Sequence, residues 1–418
     1  MGVRKRRLPD EVLERVLARF DHRSPEVATD PFGVYAKLRE RCPLHRSEAY
    51  GGFWVVANHR LVDEVAHDDA RFCVGQGQSL PHAGNPRPFI PLEIDPPDTL
   101  PWRHLLGPLF SPTAVEQREA EVRAIARDLV DQFVARGRCD VVSEFAEPLP
   151  ARETMRLVGL PEERWRECLH AIHVGVHESA RDLDKSVEAM IEVAVLLAET
   201  MEAREEEPAD DAISFLQAAE FQGRPVTEEE ILDICLLLLF GGLDTTASVI
   251  GFGLGHLAGL PEERKQLVAQ PERIPLAMEE FLRFYAPVQG LARTATGDTM
   301  LDGQVIHEGD KLWVLWASAN HDEAEFRESE RIILDRSPNR HFAFGVGIHR
   351  CLGSNLGRLM ARVAFEEFLT RIPDYRLESD EFDVIEDAGI VYALTTLPVV
   401  FEPQPDRRPE PALTGGPR

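Results

Sequence analysis

The sequence has few cysteines, and they lie far apart. Six occur among 418 residues, and none forms a C-x-x-C pair. Zinc ribbons and thioredoxin-like redox motifs need such pairs and are therefore not expected. Few and scattered thiols in a long chain are typical of the reducing cytoplasm, and we predict a cytoplasmic location.

Positive charge and long apolar runs are also scarce. The 46 Lys and Arg residues face 72 Asp and Glu residues, which gives a formal net charge of −26. Because phosphate backbones are bound by basic surfaces, nucleic acid is not an expected partner. The basic cluster at positions 4–7 has no apolar segment after it, so no secretory signal is predicted. The longest apolar run, 234–243, is too short to span a bilayer, and no membrane partner is expected.

Helical periodicity is abundant. It runs through positions 115–136, 186–206, 228–258, 274–285 and 354–371. Strand-like segments are short, at 52–56, 311–315 and 390–392. The sequence therefore predicts a mainly α fold with small β-sheets.

One predicted helix carries two adjacent glycines. Thr227 and Glu230 form a capping box, so the helix begins just after Thr227 and continues to about residue 258, roughly 45 Å. Gly241 and Gly242 in its interior each cost about 1 kcal/mol relative to alanine. Either another group approaches the backbone closely there, or the helix packs tightly against a neighbour, and the sequence leaves both readings open.

The segment 341–353 is rich in glycine and contains Cys351. Its glycines permit a tight loop that a flat ligand can approach closely. A predicted helix follows at once, and the N-terminus of a helix stabilises a thiolate. From the residues alone, Cys351 is a nucleophile, a ligand or an inert core thiol.

The full pattern F-G-x-G-x-H-x-C-x-G, from Phe344 to Gly353, resembles the cytochrome P450 family. The resemblance implies a P450 fold, with the long central helix crossing over the haem. It also implies that Cys351 ligates the iron of haem b (iron protoporphyrin IX) as a thiolate, which favours O–O cleavage. Phe344, Gly345 and Gly353 would belong to the cofactor-binding loop, whose backbone N–H groups hydrogen-bond the sulfur.

Further segments resemble the family. Glu280 and Arg283 fit E-x-x-R, and the resemblance implies a structural cluster completed by Arg336. Without the resemblance, this i,i+3 pair reads as an exposed salt bridge worth a few tenths of a kcal/mol.

Two more segments, 293–296 and 95–103, resemble parts of the family that bind the haem propionates. The resemblance implies that Arg293 and Arg103 bind propionates, as would His349 of the cysteine loop. Thr99 stands where many relatives have a histidine, which leaves one propionate contact without its usual residue.

The glycine-bearing helix resembles the oxygen-binding groove of the family. Gly241 and Gly242 would make room for dioxygen above the haem, and Thr245 would hydrogen-bond it. Asp244 would feed protons through water as a general acid near bulk solvent. This predicts a monooxygenase; the alternatives are a peroxide-driven peroxygenase, which usually lacks the Asp–Thr pair, and a non-catalytic haem-binding sensor.

The resemblance extends over 30–403 as one domain, with a flexible segment at 1–29 and a disordered tail at 404–418. It is closest to the bacterial camphor hydroxylase branch, which implies a monomer that receives electrons from a 2Fe-2S ferredoxin. The arginines near the cysteine loop are predicted to dock the ferredoxin, unless they are dispersed, solvated charges. They are Arg340, Arg350, Arg358 and Arg362.

Arg87 stands where camphor hydroxylase has a tyrosine that binds the ketone, so camphor itself is not expected. Arg87 would face solvent, reach a propionate or meet a polar group of the substrate. The other predicted pocket residues, which could equally be ordinary core, are apolar and favour a small lipophilic substrate such as a monoterpenoid or norisoprenoid. They are Phe89, Leu238, Val288, Leu291, Ile390 and Val391.

His170, His173 and His177 share one face of a predicted helix, as metal ligands can. No cysteine or carboxylate completes an evident set in the sequence, so a metal site is not expected there.

Overall fold

The computed structural model describes residues 7–82, 87–178, 182–379, 383–387 and 389–405. The α-helices of these ranges are α1 (Asp10–Ala18), α2 (Pro25–Thr29), α3 (Pro31–Arg41), α4 (His59–His67), α5 (Thr99–Leu106), α6 (Pro112–Gln117), α7 (Glu119–Phe133), α8 (Pro148–Val158), α9 (Trp165–His173), α10 (Leu183–Glu206), α11 (Ala212–Gln217), α12 (Glu228–Leu243), α13 (Thr245–Gly259), α14 (Pro261–Ala269), α15 (Ile274–Tyr285), α16 (Trp316–Ala319) and α17 (Ser354–Arg371). The five helical stretches predicted from periodicity all contain helix, and the mainly α fold with small sheets is confirmed.

The strands are short and form small sheets. They are β1 (Leu44–Ser47), β2 (Phe53–Val56), β3 (Phe72–Cys73), β4 (Arg138–Asp140), β5 (Glu220–Phe221), β6 (Arg224–Pro225), β7 (Leu291–Ala295), β8 (Thr299–Leu301), β9 (Gln304–Ile306), β10 (Lys311–Val314), β11 (Tyr375–Leu377) and β12 (Pro398–Phe401). The largest sheet has the order β1-β2-β10-β7-β3, with β10 parallel to β2 and antiparallel to β7. A second sheet has the order β11-β12-β4, and β5-β6 and β8-β9 are hairpins. The predicted strand at 390–392 is only an isolated bridge between Val391 and Val288.

The predicted long helix is present but is interrupted once. Thr227 accepts a hydrogen bond from the backbone N–H of Glu230, and the Glu230 side chain accepts one from the backbone N–H of Thr227, so α12 begins with the predicted capping box. Asp244 lies between α12 and α13 with a backbone (φ −104°, ψ −41°) that breaks the regular helix. Within the described ranges, Glu228–Gly259 is the one helical stretch long and apolar enough to cross a membrane, and most of it is buried, as is usual for a core helix.

The core is built around α13, which packs against α15 and α17, while α12 packs against α8. The N-terminal part of the chain also contributes to this core. Phe20 and Val27 are fully buried there, because α1 and α2 lie against the sheet and helices. The prediction of a flexible segment at 1–29 is therefore wrong for residues 7–29. The predicted disordered tail falls mostly on 406–418, which lie outside the described residues.

Candidate active site

The cysteine loop has a conformation that requires glycine at two positions. Gly345 (φ 62°) and Gly347 (φ 76°) lie in the left-handed region. A Cβ on Gly347 would come within 2.5 Å of the carbonyl oxygen of Ala66, so a side chain there is excluded by space as well. The loop closes on itself through the backbone N–H of Cys351, which donates to the carbonyl oxygen of Phe344 at 2.9 Å. It thereby presents the cysteine one turn before α17.

The thiol of Cys351 faces an internal cavity of about 760 Å³, and its accessible surface opens into that cavity. Burial raises the pKa of this thiol above its usual value, and a hydrogen bond from the backbone N–H of Gly353 and the charges of Arg103, Arg350 and Arg358 offset part of that rise. These donors and charges favour a thiolate, which is the form that binds iron. The hydrogen bond to sulfur is the one implied by the resemblance. We call the Cys351 side of the cavity proximal and the side of α12 and α13 distal.

At one edge of the cavity, buried nitrogen atoms of Arg293 and His349 have no anionic partner among the described residues. Arg293 is 3% exposed and donates only to the Ala292 carbonyl and to Gln78, without an ion pair to any described carboxylate. Both ring nitrogens of His349 are buried without a hydrogen-bond partner. Burial lowers the pKa of Arg293 to about 10 and that of His349 to about 3. A buried guanidinium needs an anionic partner, and the propionates of a haem fit this edge.

Arg103 also lines the cavity, as predicted, and donates to the carbonyl oxygen of Arg350. Its neighbour Thr99 is buried, and its hydroxyl donates to the carbonyl of Ile94 within the turn that begins α5. The hydroxyl is used locally, so Thr99 does not replace the missing histidine. The cluster at this edge therefore consists of Arg103, Arg293 and His349.

On the distal side, the two adjacent glycines have different reasons to be there. A Cβ on Gly241 would meet nothing within 4 Å, because this position faces the cavity. A Cβ on Gly242 would lie 2.5 Å from the hydroxyl oxygen of Thr154 in α8. Both alternatives left open by the sequence therefore apply: Gly241 leaves room in the cavity, and Gly242, which also lines the cavity, permits close helix packing.

Thr245 lines the cavity beside Gly241, and its hydroxyl donates to the Gly241 carbonyl at 2.8 Å. The hydroxyl hydrogen is thus engaged, and the oxygen retains lone pairs that accept hydrogen bonds. Thr245 and Cys351 line the same cavity.

Asp244 is not near bulk solvent, contrary to the prediction. Its side chain is 4% exposed and is held by two histidines, with Oδ1 3.3 Å from Nε2 of His173 and Oδ2 3.1 Å from Nε2 of His177. Burial raises the pKa of Asp244, but the hydrogen bonds and charges of the two histidines outweigh it and hold the pKa well below its usual range. Asp244 does not line the cavity. Its carboxylate is buried against the two histidines, one residue before Thr245, which does line the cavity.

The three histidines of the predicted helix face are thus divided. His170 is exposed, while His173 and His177 bind Asp244. Among the described residues, no group of three or more His, Cys, Asp or Glu side chains is arranged to hold a metal ion. The sequence showed two histidines four residues apart, but it did not indicate that both bind Asp244.

The predicted substrate residues all lie in the wall of the cavity: Phe89, Leu238, Val288, Leu291, Ile390 and Val391. Arg87 lies there too. Its side chain is 39% exposed, in keeping with the predicted role of facing solvent, and it forms a two-pronged ion pair with Asp233 at 2.8 Å that the sequence did not indicate. The sequence also missed the part of the wall contributed by α10, including Met190 and Ile191. No motif marks these residues, and only the packing of α10 over the cavity brings them there.

The predicted scaffold cluster is present on the proximal side. Glu280 and Arg283 are both fully buried and joined by two hydrogen bonds of 2.8 Å, and Arg336 donates to both Glu280 oxygens at 3.1 and 2.9 Å. Arg283 also donates to the carbonyls of Asn320 and Ser329. Because every charge in this buried cluster has hydrogen-bond partners, the cluster is part of the scaffold. The alternative that Glu280 and Arg283 form an exposed salt bridge is excluded.

Of the four arginines predicted to dock the ferredoxin, two form ion pairs with neighbouring carboxylates. Arg358 is paired with Glu279, and Arg362 with Glu119 and Glu366, so these two charges are neutralised where they stand. Arg340 and Arg350 are exposed and form no ion pair within the described part of the chain. The four-arginine patch is therefore corrected to two free arginines.

Comparison with known proteins agrees with this geometry. A family model described as Cytochrome P450 matches residues 176–387. The chain is 34% identical to the steroid C26-monooxygenase of Mycobacterium tuberculosis over 79% of its own length and 92% of that protein. It is 32% identical to the polyketide biosynthesis cytochrome P450 PksS of Bacillus subtilis, over 86% of its length and 92% of the relative. The structure of CYP109E1 from Bacillus megaterium in complex with testosterone superimposes with a TM-score of 0.82 at 28% identity, covering 90% of this chain and 99% of that one.

Proposed function

The chain belongs to the cytochrome P450 family and is a haem-dependent monooxygenase, and from this premise we propose that it hydroxylates a small lipophilic substrate of monoterpenoid or norisoprenoid type. The proposal includes dioxygen as the oxidant and a 2Fe-2S ferredoxin as the electron donor. The observation that carries it is a single cavity with the Cys351 thiol at its proximal side, three cationic or imidazole side chains at one edge, and Gly241 and Thr245 at its distal side.

In this proposal the residues divide their work by chemistry. When bound, haem b supplies the iron at which dioxygen is activated. Cys351 binds that iron as a thiolate, supported by the N–H of Gly353. Arg103, Arg293 and His349 bind the propionates, which supply the negative charge that their buried nitrogens need.

The distal residues handle oxygen and protons. Gly241 leaves the open space for dioxygen, and the Thr245 oxygen is available to accept a hydrogen bond. Asp244, one residue earlier, is the acid that supplies protons toward Thr245 in this proposal. The presence of this pair supports a dioxygen-using enzyme over a peroxide-driven one.

The apolar wall supports a lipophilic substrate. Arg87 is neutralised by Asp233, so the cavity offers no unpaired guanidinium at that position for an anionic substrate. The relatives are named for steroid and polyketide chemistry, which shares the lipophilic character but involves larger molecules. We favour the smaller class because the haem and the substrate must share one cavity of about 760 Å³.

For electron transfer we propose that the ferredoxin docks beside Arg340 and Arg350, the two exposed arginines near the cysteine loop. Complementary charge speeds the encounter of an acidic ferredoxin with such a surface. We place the enzyme in the bacterial cytoplasm, where reduced ferredoxin is available.

Three measurements test the proposal. The reduced carbon monoxide complex is expected to show the absorption band of a thiolate-ligated haem, and its absence would overturn the cofactor assignment. Small cyclic terpenoids and steroids are then screened for the spin-state shift that follows displacement of iron-bound water. Turnover with ¹⁸O₂ and reduced ferredoxin should place one labelled atom in the product. Product formed with peroxide but not with dioxygen and ferredoxin would favour the peroxygenase.

A further inference from the structure

The buried cluster His173–Asp244–His177 connects the cavity side of the distal helix to solvent. His173 ends α9, and His177 lies in the wide π-helical turn Val174–Glu178 that follows it. The two rings are 5.8 Å apart and approach different oxygens of the same carboxylate. Val176, between them in sequence, lines the cavity. A π-helical turn is frequent at functional sites, and here it carries one wall residue and one acid partner in succession.

The hydrogen bonds of His177 fix the location of one proton. Its Nδ1 lies 3.1 Å from the backbone carbonyl oxygen of Asp387, which only accepts, so Nδ1 carries a hydrogen. Its Nε2 lies 3.1 Å from Oδ2 of Asp244. A hydrogen bond at that contact requires one proton, either on the imidazole or on the carboxyl group. The pair therefore stores one transferable proton in either form.

His173 differs from His177 in its access to water. The His173 side chain is 32% exposed, whereas those of His177 and Asp244 are 8% and 4% exposed. Burial lowers the pKa of His173, but the hydrogen bond and charge of Asp244 and the charge of Glu147 raise it more, so the net shift is upward. Behind the cluster, Asp387, whose backbone carbonyl contacts His177, forms a buried ion pair with Arg23 at 2.9 Å.

We propose that His173 and His177 are the positioning residues that load Asp244 with the protons consumed in the reaction, His173 drawing them from solvent and His177 holding one in reserve. This rests on the proposed monooxygenase function. Hydroxylation of one C–H bond by one dioxygen consumes two electrons and two protons and releases one water, and the ferredoxin supplies the electrons. The cluster has two histidines for those two protons.

Each transfer conserves atoms and charge. The Nε2–H bond of His177 breaks and an O–H bond forms on Oδ2 of Asp244, which leaves a neutral acid and a neutral imidazole that still donates to Asp387. The uncharged Asp244 side chain is then released to turn toward Thr245 and give up its proton there. It returns as a carboxylate, receives the second proton from Nε2 of His173 and delivers it in the same way. Two protons from bulk solvent then restore the cluster: His173 takes up both in turn, keeps one and passes the other through Asp244 to Nε2 of His177.

The test uses the haem-loaded enzyme with His173→Gln and His177→Gln. Glutamine keeps an N–H that can donate to Asp244 but does not titrate. His170→Gln is the matched control, because His170 lies on the same helix, is exposed and is outside the cluster. Product formation is followed with a 2Fe-2S ferredoxin and its flavin reductase, using whichever of testosterone and 1,8-cineole is turned over faster.

We expect His177→Gln to lower kcat roughly ten- to a hundredfold with KM unchanged, because positioned proton transfer contributes at least that much. Its solvent deuterium isotope effect should rise. His173→Gln should lower kcat about tenfold and change the pH profile. The wild-type rate should fall as pH rises through the raised pKa of His173, above its ordinary value of about 6.5, and the variant should lack this fall.

Wild-type kcat, pH profile and isotope effect in both glutamine variants would overturn the proposal. If His177→Gln fails to hold haem, the pH profile of His173→Gln decides it, because that ring is partly exposed. The carbon monoxide spectrum distinguishes failure of the proposed function from failure of the role proposed for the histidines. A wild-type enzyme without the thiolate band contradicts the proposed function, whereas variants with that band and normal turnover contradict only the role of the histidines.

Discussion

On the proximal side of the cavity the buried carboxylate of Glu280 is bound by two arginines, whereas on the distal side the buried carboxylate of Asp244 is bound by two histidines. Arginine carries a permanent positive charge, so the partners of Glu280 are fixed charges. Histidine is a titratable side chain, so the partners of Asp244 can gain and lose protons. The difference teaches that the fold surrounds one buried carboxylate with permanent charges and the other with titratable ones, and the proposed proton transfer uses the second.

The two clusters also differ in how their stability responds to pH. The lowered pKa of Asp244 contributes stability at neutral pH that is lost as pH falls through its folded-state value. The raised pKa of His173 contributes stability below its unfolded-state value that is lost as pH rises through its folded-state value. The distal cluster is therefore most stable between these limits.

The largest effect on activity is expected from replacing Cys351, the proposed iron ligand on the proximal side. Cys351→Ser removes the thiolate, so the carbon monoxide band of a thiolate-ligated haem should disappear and hydroxylation should fall to background. Cys42→Ser is the control, because Cys42 is exposed and its thiol donates only to the Leu44 carbonyl. A Cys351→Ser protein that keeps the thiolate band would show that the ligand has been misassigned.

The next largest effect concerns the scaffold. Glu280→Gln should lower the free energy of unfolding by about 3–5 kcal/mol, because it leaves Arg283 and Arg336 buried without an anion. Denaturant unfolding of the holoprotein measures this, at several pH values. Glu40→Gln, in an exposed i,i+3 pair with Lys37, should change little. A loss for Glu280→Gln no larger than that of the control would remove one half of the comparison between the clusters.

A smaller effect separates the two distal glycines. Gly242→Ala should cost about 1–3 kcal/mol, because the new methyl group meets Thr154. Gly241→Ala should leave stability equal or higher by up to about 1 kcal/mol, since alanine favours the helix, while its methyl group fills the cavity and weakens the substrate-induced spin shift. Thermal unfolding and substrate titration of the same two proteins distinguish these outcomes. Equal destabilisation by both would contradict the division of roles.

The smallest effect is expected at the proximal surface. Arg350→Gln should slow reduction by ferredoxin roughly two- to fivefold at low ionic strength, and added salt should remove the difference. Arg362→Gln should have little effect, because Glu119 and Glu366 already neutralise that charge. Stopped-flow reduction measures both. A stronger effect of Arg362→Gln would place the docking surface elsewhere.

Much of the proximal side could be predicted from the sequence. The loop around Cys351 is a continuous segment whose glycines and helix start specify its conformation, and Glu280 and Arg283 are one helical turn apart. Arg336 could be named only through the family resemblance. The distal side was predicted less well: Asp244 and Thr245 were identified, but the carboxylate was expected near solvent. Its partners are 71 and 67 residues away in the chain, so no local pattern joins them.

The sequence by itself identified Cys351 as the candidate iron ligand, because the motif that resembles the cytochrome P450 family is one continuous segment from Phe344 to Gly353. It also determined the mainly helical fold, since apolar periodicity is local. Only the tertiary structure decided which charges are free. It paired Arg87 with Asp233, neutralised Arg358 and Arg362, and joined Asp244 to His173 and His177. Each of these pairings depends on how separate segments pack together, and the spacing of residues within one segment does not contain that information.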